Sequence, residues 1–226
     1  TIINSADYGS YQARKRAVSG EIIVKNKFLI PQPTHSEKEN KGLKRWNTLE
    51  KLINKIPSPN IQKNDGEVKD PVYPSIKLKL KDLSDHFYDS GLYKSEWKQA
   101  KELKTNHYCM GKMAFPENFD RPSRTITATK SGTSREALVY KSEYNRKGNG
   151  EYRTPTVREA ASIMGFPYTH QFLGSVHSKW RLIGNAVCPA VSRALASEVL
   201  LQLNIKVSNR LKLNKKSNFE NIINLN

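Results

Sequence analysis

A glutamine and two arginines stand at alternate positions near the start of the chain. Gln12, Arg14 and Arg16 are each separated by one residue, so an extended strand would present all three side chains on one face. A guanidinium is planar, stays charged and offers paired N–H donors, which suits a carbonyl oxygen or a phosphate. The pattern predicts a site for such a group; the alternative from these residues alone is a solvated basic edge strand.

A second polar group lies in the middle of the chain. Thr125 and Thr127 alternate with apolar residues in the segment 124–129, and Lys130 and Arg135 flank a turn of small residues. Hydroxyls and basic side chains are the groups that usually position a nucleic-acid backbone. We interpret the segment as a strand whose four polar residues are candidates for DNA binding; an ordinary threonine-rich strand is the alternative.

A cluster of small residues stands directly before a helix signal. The residues Gly184-Asn185-Ala186-Val187 lead toward Pro189, which suits the first turn of a helix. Small side chains allow two backbones to approach closely, and the first amides of a helix point forward. The pattern predicts either a turn that faces a ligand or a plain connection into the helix.

The charge balance of the chain is strongly basic. Its 226 residues include 38 Lys and Arg against 21 Asp and Glu, a net charge of +17. Such an excess favours a polyanionic partner, and nucleic acid is the usual one; a very soluble surface or a ribosome-like protein is the alternative. No stretch approaches the roughly 20 apolar residues of a membrane span, so no membrane partner is expected.

The two cysteines indicate neither a metal centre nor a disulfide framework. Cys109 and Cys188 are far apart and show no Cys-x-x-Cys spacing. We therefore expect no metal, and this cysteine usage suits a reducing cytoplasm.

Local patterns predict the elements that would position these residues. Strands are predicted at about 17–24, 125–129 and 137–140. Helices are predicted at 46–56, 156–164 and 189–203. The second helix would begin with a Thr-x-x-Glu capping box at Thr156 and Glu159 and would end at Gly165. Ranges 31–45 and 57–74 are predicted to be irregular, 75–105 has no clear periodicity, and the residues after 206 are expected to be disordered.

Three of these segments, in this order, resemble the last three characteristic blocks of the DNA cytosine-5 methyltransferases. They lie at residues 4–16, 121–129 with 156–167, and 184–191. The first is similar to the family's Gln-x-Arg-x-Arg block, although Tyr11 stands where the family usually has proline. The last departs at Cys188, again in place of a proline. The order and spacing of all three carry the resemblance, which spans essentially residues 4–203.

The resemblance implies roles for individual residues. Arg16 would hold the O2 edge of a flipped cytosine, Arg14 would orient the pocket wall, and Gln12 completes this candidate catalytic group. Thr125 would contact the DNA backbone near the target base. The turn at Asn185-Ala186 would help to close the pocket for S-adenosylmethionine, most of which other parts of the family's catalytic domain supply.

The resemblance also implies the fold class and the domains. The chain would be α+β: a small mixed target-recognition domain joined to the terminal strands and C-terminal helix of an incomplete doubly wound α/β methyltransferase domain. The implied units are residues 1–30, the end of the catalytic domain, 31–155, the target-recognition domain, 156–205, the segment that returns to the catalytic domain, and a tail at 206–226.

The family's nucleophile is a cysteine in a Pro-Cys-Gln loop, and a glutamate in a Glu-Asn-Val block assists it. No Pro-Cys dipeptide occurs in these 226 residues, nor does either the Glu-Asn-Val or the Phe-x-Gly-x-Gly block. We therefore expect no methyl transfer by this chain alone. An N-terminal catalytic portion or a partner subunit would supply the missing groups, and the start without methionine favours a fragment over a separately encoded subunit.

The expected function is thus DNA recognition and completion of the active site in a cytosine-5 methyltransferase that acts on a short duplex site. We expect a prokaryotic cytoplasmic protein, associated with the nucleoid when on DNA, in a restriction-modification system. Two alternatives remain open from the sequence. One is a catalytically inactive, sequence-specific DNA-binding module, and the other is a generic basic RNA-binding protein.

Overall fold

The computed structural model describes residues 1–20, 30–59, 66–142 and 151–205. The helices of this part of the chain are α1 (Leu49–Ile53), α2 (Lys94–Thr105), α3 (Val157–Met164), α4 (Val176–Asn185) and α5 (Pro189–Gln202), with short 3-10 helices at Ser5–Tyr8 and Leu80–Asp82. The strands are β1 (Ile2–Asn4), β2 (Lys15–Ala17), β3 (His35–Ser36), β4 (Lys44–Arg45), β5 (Glu67–Lys69), β6 (Lys77–Lys79), β7 (Tyr140–Lys141) and β8 (Tyr152–Arg153).

The described strands form four two-stranded sheets. The pairs β1–β2, β5–β6 and β7–β8 are antiparallel, whereas β3–β4 is parallel. In the first pair Ile3 lies opposite Arg16. This mixture of helices and short strands agrees with the expected α+β content. The incomplete doubly wound portion and the domain boundaries stay predictions.

Two helix predictions, those of α3 and α5, are confirmed, and both rest on local signals. At the start of α3 the Thr156 hydroxyl accepts the Glu159 amide at 3.2 Å, and the Glu159 carboxylate accepts the Thr156 amide at 2.7 Å. Gly165 ends the helix in the left-handed region with φ 94°, a conformation that glycine adopts without steric cost. Helix α5 begins at Pro189, as its sequence signal indicates.

The strand predicted at 125–129 is wrong. Backbone groups of this segment form hydrogen bonds with side chains, since the Ile126 amide donates to Gln12 Oε1 at 2.6 Å. The Thr127 carbonyl accepts the Trp180 indole N–H at 3.0 Å. No strand in the described part of the chain runs beside it, so β-branched alternation alone does not produce a ladder. The returning strand predicted at 137–140 does not pair with the segment 125–129 either. The strand found there, β7, begins at Tyr140 and pairs with β8.

Other elements differ in extent from their predictions. The range 46–56 contains the shorter helix α1, and the ranges 31–45 and 57–74, predicted to be irregular, contain β3, β4 and β5. Helices α2 and α4 were not predicted. Of the strand predicted at about 17–24, the structure describes residues 17–20, and Ala17 is the last residue of β2. The range 21–29 lies outside the described residues. The tail after 206 also lies outside them.

The main hydrophobic cluster joins α1, α3 and α4 around the segment that contains Ile126. Its fully buried members include Leu49, Ile126, Tyr140, Ile163 and Ile183. A second cluster gathers Trp97 of α2 with Leu92 and Val139, and a third joins Ile3 of β1 to Val191 of α5. Burial of these side chains fixes the three resemblance blocks against one another, since each block contributes to a cluster.

Candidate functional site

Arg14 ties together all three sequence blocks. Its side chain is buried, and its guanidinium donates to the carbonyl of Ile126 at 2.9 Å and to that of Gly184 at 2.7 Å. Charged donors make stronger hydrogen bonds than neutral ones, and a buried carbonyl without a partner is costly. Arg14 therefore holds the backbone of two distant segments and has little surface left for a ligand.

Gln12, two residues before Arg14, also joins distant segments. The side chain is fully buried, and its amide lies between the Ile126 amide and the sulfur of Met164, with a distance of 2.7 Å from Nε2 to Sδ. The neighbouring Ala13 amide donates to the Ser123 carbonyl at 2.9 Å. These contacts align the first block on the second, and they place Gln12 in the interior.

Arg16 is the exposed member of the predicted trio. It lies on β2, and Nη1 donates to the Lys15 carbonyl at 2.7 Å. The trio therefore divides by burial, since Gln12 and Arg14 are buried and Arg16 is exposed. Burial lowers the pKa of Arg14, and the positive charge of Arg16 lowers it further. The two guanidiniums thus create a positive field at the end of β2.

One pocket brings Arg14 and Arg16 together with the third block. It has a volume of about 480 Å³ and includes Asn185 and Ala186 among its lining residues. Its apolar wall contains Ile3, Val18, Val187, Val191 and Leu195. Four of the nine residues singled out from the sequence therefore meet in one place. We call it the Arg16 pocket.

The Asn185-Ala186 turn is positioned by the end of α4. Asn185 is the last residue of that helix, and the Ala186 amide is already bonded to the carbonyls of Leu182 and Ile183 at 3.1 and 3.2 Å. That amide is therefore unavailable to a ligand. Asn185 itself is exposed at the pocket, so its side-chain amide can hydrogen-bond a bound molecule.

The residues present do not by themselves fit S-adenosylmethionine. A site for an adenine nucleoside usually offers a carboxylate to the ribose hydroxyls, and no acidic residue lines the described part of the Arg16 pocket. The guanidiniums of Arg14 and Arg16 would also disfavour the positive sulfonium. Asn185 and the apolar residues can at most contribute one wall of a larger site.

Of the four residues predicted to contact DNA, Thr127 and Lys130 line one small cavity beside Trp180, and Thr125 and Arg135 are not among its lining residues. The hydroxyl of Thr125 donates to the Ala13 carbonyl at 3.3 Å, and that of Thr127 donates to the Thr129 carbonyl at 3.0 Å. The Arg135 guanidinium donates to the Gly111 carbonyl at 2.6 Å, on a loop distant in sequence. Each of these contacts lies within the chain, and the role of these side chains toward DNA stays a prediction.

Lys130 is held by aromatic rings. Its ammonium lies 4.8 Å from the ring centroid of Tyr88 and 5.7 Å from that of Trp180, and it donates to the Tyr88 hydroxyl at 3.0 Å. Cation–π contacts of this kind stabilise a lysine while leaving its charge in place. The contact of Lys130 with Trp180 was missed from the sequence, where a single aromatic residue gives no positional signal.

Cys188 is an interior residue. Its sulfur lies 3.0 Å from the Met164 carbonyl and 3.1 Å from the Ser10 hydroxyl, and burial raises the pKa of the thiol. A neutral, enclosed thiol is a poor nucleophile, because the thiolate is the reactive form. Cys109 is exposed, and its sulfur lies 3.8 Å from Nδ1 of His107.

Neither metal ligation nor membrane insertion is indicated by the described ranges. Across them, no group of three or more His, Cys, Asp or Glu side chains is placed to hold a metal ion. Among the helices of the same ranges, none combines the length and apolar character that crossing a bilayer requires.

Comparison with known proteins gives a consistent picture. The family model of the C-5 cytosine-specific DNA methylases matches residues 1–200. Over 199 residues the chain is 25% identical to the type II methyltransferase M1.HphI of Haemophilus parahaemolyticus, covering 88% of this chain and 46% of that protein. It is 27% identical over 211 residues to the type II methyltransferase M.NgoFVII of Neisseria gonorrhoeae, covering 88% and 48% respectively.

One solved structure, the Dnmt2 methyltransferase of S. pombe, aligns with a TM-score of 0.46 and 16% identity, over 90% of this chain and 57% of that one. The chain spans about half the length of the two curated relatives described above, 46% and 48%.

Proposed function

The chain belongs to the C-5 cytosine-specific DNA methylase family, and from this premise we propose that it is the DNA-recognition and site-completing portion of a DNA (cytosine-5-)-methyltransferase. The observation that carries the proposal is the Arg16 pocket, where Arg14 and Arg16 meet Asn185 and Ala186 across about 170 residues of sequence. Residues that distant share a pocket only when the fold brings their two blocks together.

Within this proposal Arg16 is the residue that touches the reacting base. Its exposed guanidinium can donate paired hydrogen bonds to the O2 carbonyl of a cytosine that has left the duplex stack. Arg14 is a positioning residue, since its donors are occupied by the Ile126 and Gly184 carbonyls. Its charge still raises the positive potential beside Arg16, which favours an electron-rich carbonyl oxygen.

The thiol that attacks the base and most of the S-adenosylmethionine site are assigned to a catalytic portion or partner subunit. The buried thiol of Cys188 supports this assignment, because burial raises its pKa. The cofactor supplies the methyl group when bound there. The contribution of this chain lies in Asn185 and the apolar wall that includes Val187 and Leu195.

Recognition of the target duplex is assigned to residues 31–155, with Thr125, Thr127, Lys130 and Arg135 as its candidate phosphate contacts. The net charge of +17 supports a DNA partner. The type II names of the bacterial relatives support a place in a restriction-modification system. We accordingly assign the chain to the prokaryotic cytoplasm, close to chromosomal DNA.

The proposal is tested by a radiolabelled methyl-transfer assay. The chain alone should give no incorporation above background, and addition of a family catalytic portion with the Pro-Cys-Gln block should restore incorporation into duplex DNA. Turnover by the isolated chain would contradict the division of roles. Duplex binding without restoration by any such portion would instead favour an inactive DNA-binding module.

A further inference from the structure

A second large cleft also includes a residue of the first block, Ala13. It has a volume of about 640 Å³ and is lined by residues near β4 and α1 together with the segment 120–124. Ala13 lines this cleft, whereas Arg14 and Arg16 line the Arg16 pocket. The two lining sets share no residue, so the two cavities are distinct.

Basic side chains dominate the polar lining of this cleft. Arg45, Lys51 and Arg121 are exposed at its walls, and none has an ion pair or a side-chain hydrogen bond within the described ranges. A fourth cation, Arg124, is compensated by Glu117, to which its Nε donates at 2.9 Å. Three of the cations that line this cavity therefore have no directly bonded partner within the described ranges. We call it the Arg121 cleft.

Lys44 and Lys51 add positive charge near the cleft. Burial lowers the pKa of His35, and the charges of Lys44 and Lys51 lower it further. The carboxylates of Glu37 and Asp120 also line the cleft and oppose this charge. The cations exceed them in number, and like charges gathered without partners raise the affinity for an anion that can bridge them.

The walls of the cleft are fixed by hydrogen bonds. The Leu49 amide donates to the Arg121 carbonyl at 2.9 Å, and the Glu50 amide donates to the Phe119 carbonyl at 2.8 Å. The indole N–H of Trp46 donates to Asp7 at 2.9 Å, which holds its ring at the cleft. A preformed site loses less conformational entropy when it binds.

We propose that the Arg121 cleft is a second phosphate-binding site, in which Arg45, Lys51 and Arg121 hold phosphodiester groups of nucleic acid outside the target pocket. Guanidiniums bind phosphate oxygens through paired donors, and the half-buried indole of Trp46 offers a face for a sugar or a base. This inference rests on the proposed DNA-binding function. The phosphates come either from the flanks of the target duplex or from a second nucleic-acid molecule.

The test measures binding of the full chain to fluorescent duplexes of two lengths, one just long enough to cover a target site and one about three times longer. The double variant R45Q/R121Q removes two cleft charges. The matched control R181Q/R193Q removes two exposed charges from α4 and α5, outside residues 31–155. Both variants should keep the melting temperature of the unaltered chain, since all four side chains are exposed.

For the long duplex, R45Q/R121Q should weaken binding roughly tenfold and reduce the slope of log K against log salt by about two, because each phosphate contact contributes about 0.9. Loss confined to the long duplex identifies its flanks as the ligand. If the variant binds one duplex per chain where the unaltered chain binds two, at either length, the phosphates in the cleft belong to a second nucleic-acid molecule. Neutralising the opposing acids in E37Q/D120N should strengthen the same binding.

Equal losses of affinity in R45Q/R121Q and R181Q/R193Q would refute a phosphate site in the Arg121 cleft, because the loss of net charge alone would then explain both. An unaltered chain that binds no duplex would instead refute the proposed function, so the two failures are distinguishable.

Discussion

Individual arginines carry much of the long-range order in this chain. Besides Arg14, the fully buried guanidinium of Arg158 on α3 binds both carboxylate oxygens of Asp85 at 3.0 and 2.7 Å. It also donates to the carbonyls of Tyr168 and His170 at 3.2 and 2.9 Å. One side chain thereby joins α3, the loop after the second 3-10 helix and the segment that follows Gly165.

Replacing Arg158 by methionine should lower the free energy of unfolding by about 3–5 kcal/mol, because it leaves the Asp85 carboxylate buried without a counter-charge. Urea unfolding at neutral pH measures this loss. The control is K77M, which breaks the Lys77–Glu67 pair, where both side chains are more than half exposed; it should cost less than about 1 kcal/mol. A loss in R158M no larger than in the control would show that Asp85 is solvated after all.

At the scale of elements, the contact between α4 and the segment 127–128 connects the second and third blocks. A Cβ placed on Gly184 would lie 2.4 Å from the Thr127 carbonyl oxygen and 2.6 Å from the Ala128 Cα. Only glycine allows the helix to approach that closely. The sequence suggested close backbone approach at this position but placed it before a helix, whereas Gly184 lies within α4.

The variant G184A should therefore separate α4 from the 127–128 backbone and cost about 1–3 kcal/mol of stability, the usual range for overpacking. It should also weaken the Arg14 contact to the Gly184 carbonyl and so disturb the Arg16 pocket. Differential scanning calorimetry measures the cost, with G111A as the control, since nothing lies within 4 Å of a Cβ at Gly111. Equal melting temperatures for both variants would contradict the close packing.

Elements with local signals were predictable from the sequence, and elements defined by distant partners were not. The capping box at Thr156, the left-handed Gly165 and the proline at 189 each act within one turn, and α3 and α5 follow them. The segment 125–129 has strand-like residues, yet its backbone groups bond to the side chains of Gln12 and Trp180. Nothing in the local pattern announces such partners.

The candidate site shows the same division. The block pattern singled out Arg14, Arg16 and Asn185, and the structure gathers them in one pocket. The sequence pattern could not distinguish the buried Arg14 from the exposed Arg16, because that difference depends on the carbonyls of Ile126 and Gly184, to which Arg14 donates. The Arg121 cleft was also beyond sequence reasoning, since its cations come from segments about 75 residues apart whose proximity no spacing rule gives.

At the scale of the whole molecule, a buried polar network makes stability depend on pH. His86 is fully buried, with Nδ1 2.8 Å from the Thr156 hydroxyl and Nε2 2.6 Å from the Pro57 carbonyl. A carbonyl only accepts, so Nε2 carries the proton in the neutral ring. Burial lowers the pKa of His86 below its ordinary 6.5. Burial alone would raise the pKa of Glu159, but Arg153 brings it below 4.5.

Both shifts destabilise the fold on acidification. The unfolded chain binds a proton at His86 before the folded chain does, so the free energy of unfolding should fall as pH drops below 6.5. The contribution of Glu159 is present above its ordinary 4.5 and is lost as pH falls further. Urea unfolding between pH 8 and 4 measures both slopes. H86Q should abolish the first slope only; a first slope that persists in H86Q would assign it to another group.

The central claim is that Arg16 faces the reacting base in a pocket that the first and third blocks complete together. Its most direct measurement is the rate of methyl transfer by the complemented enzyme carrying R16A. Loss of one such donor should reduce the rate by about 100-fold or more, while the melting temperature stays unchanged because Arg16 is exposed. A rate equal to that of the unaltered chain, with the same duplex affinity, would contradict the claim.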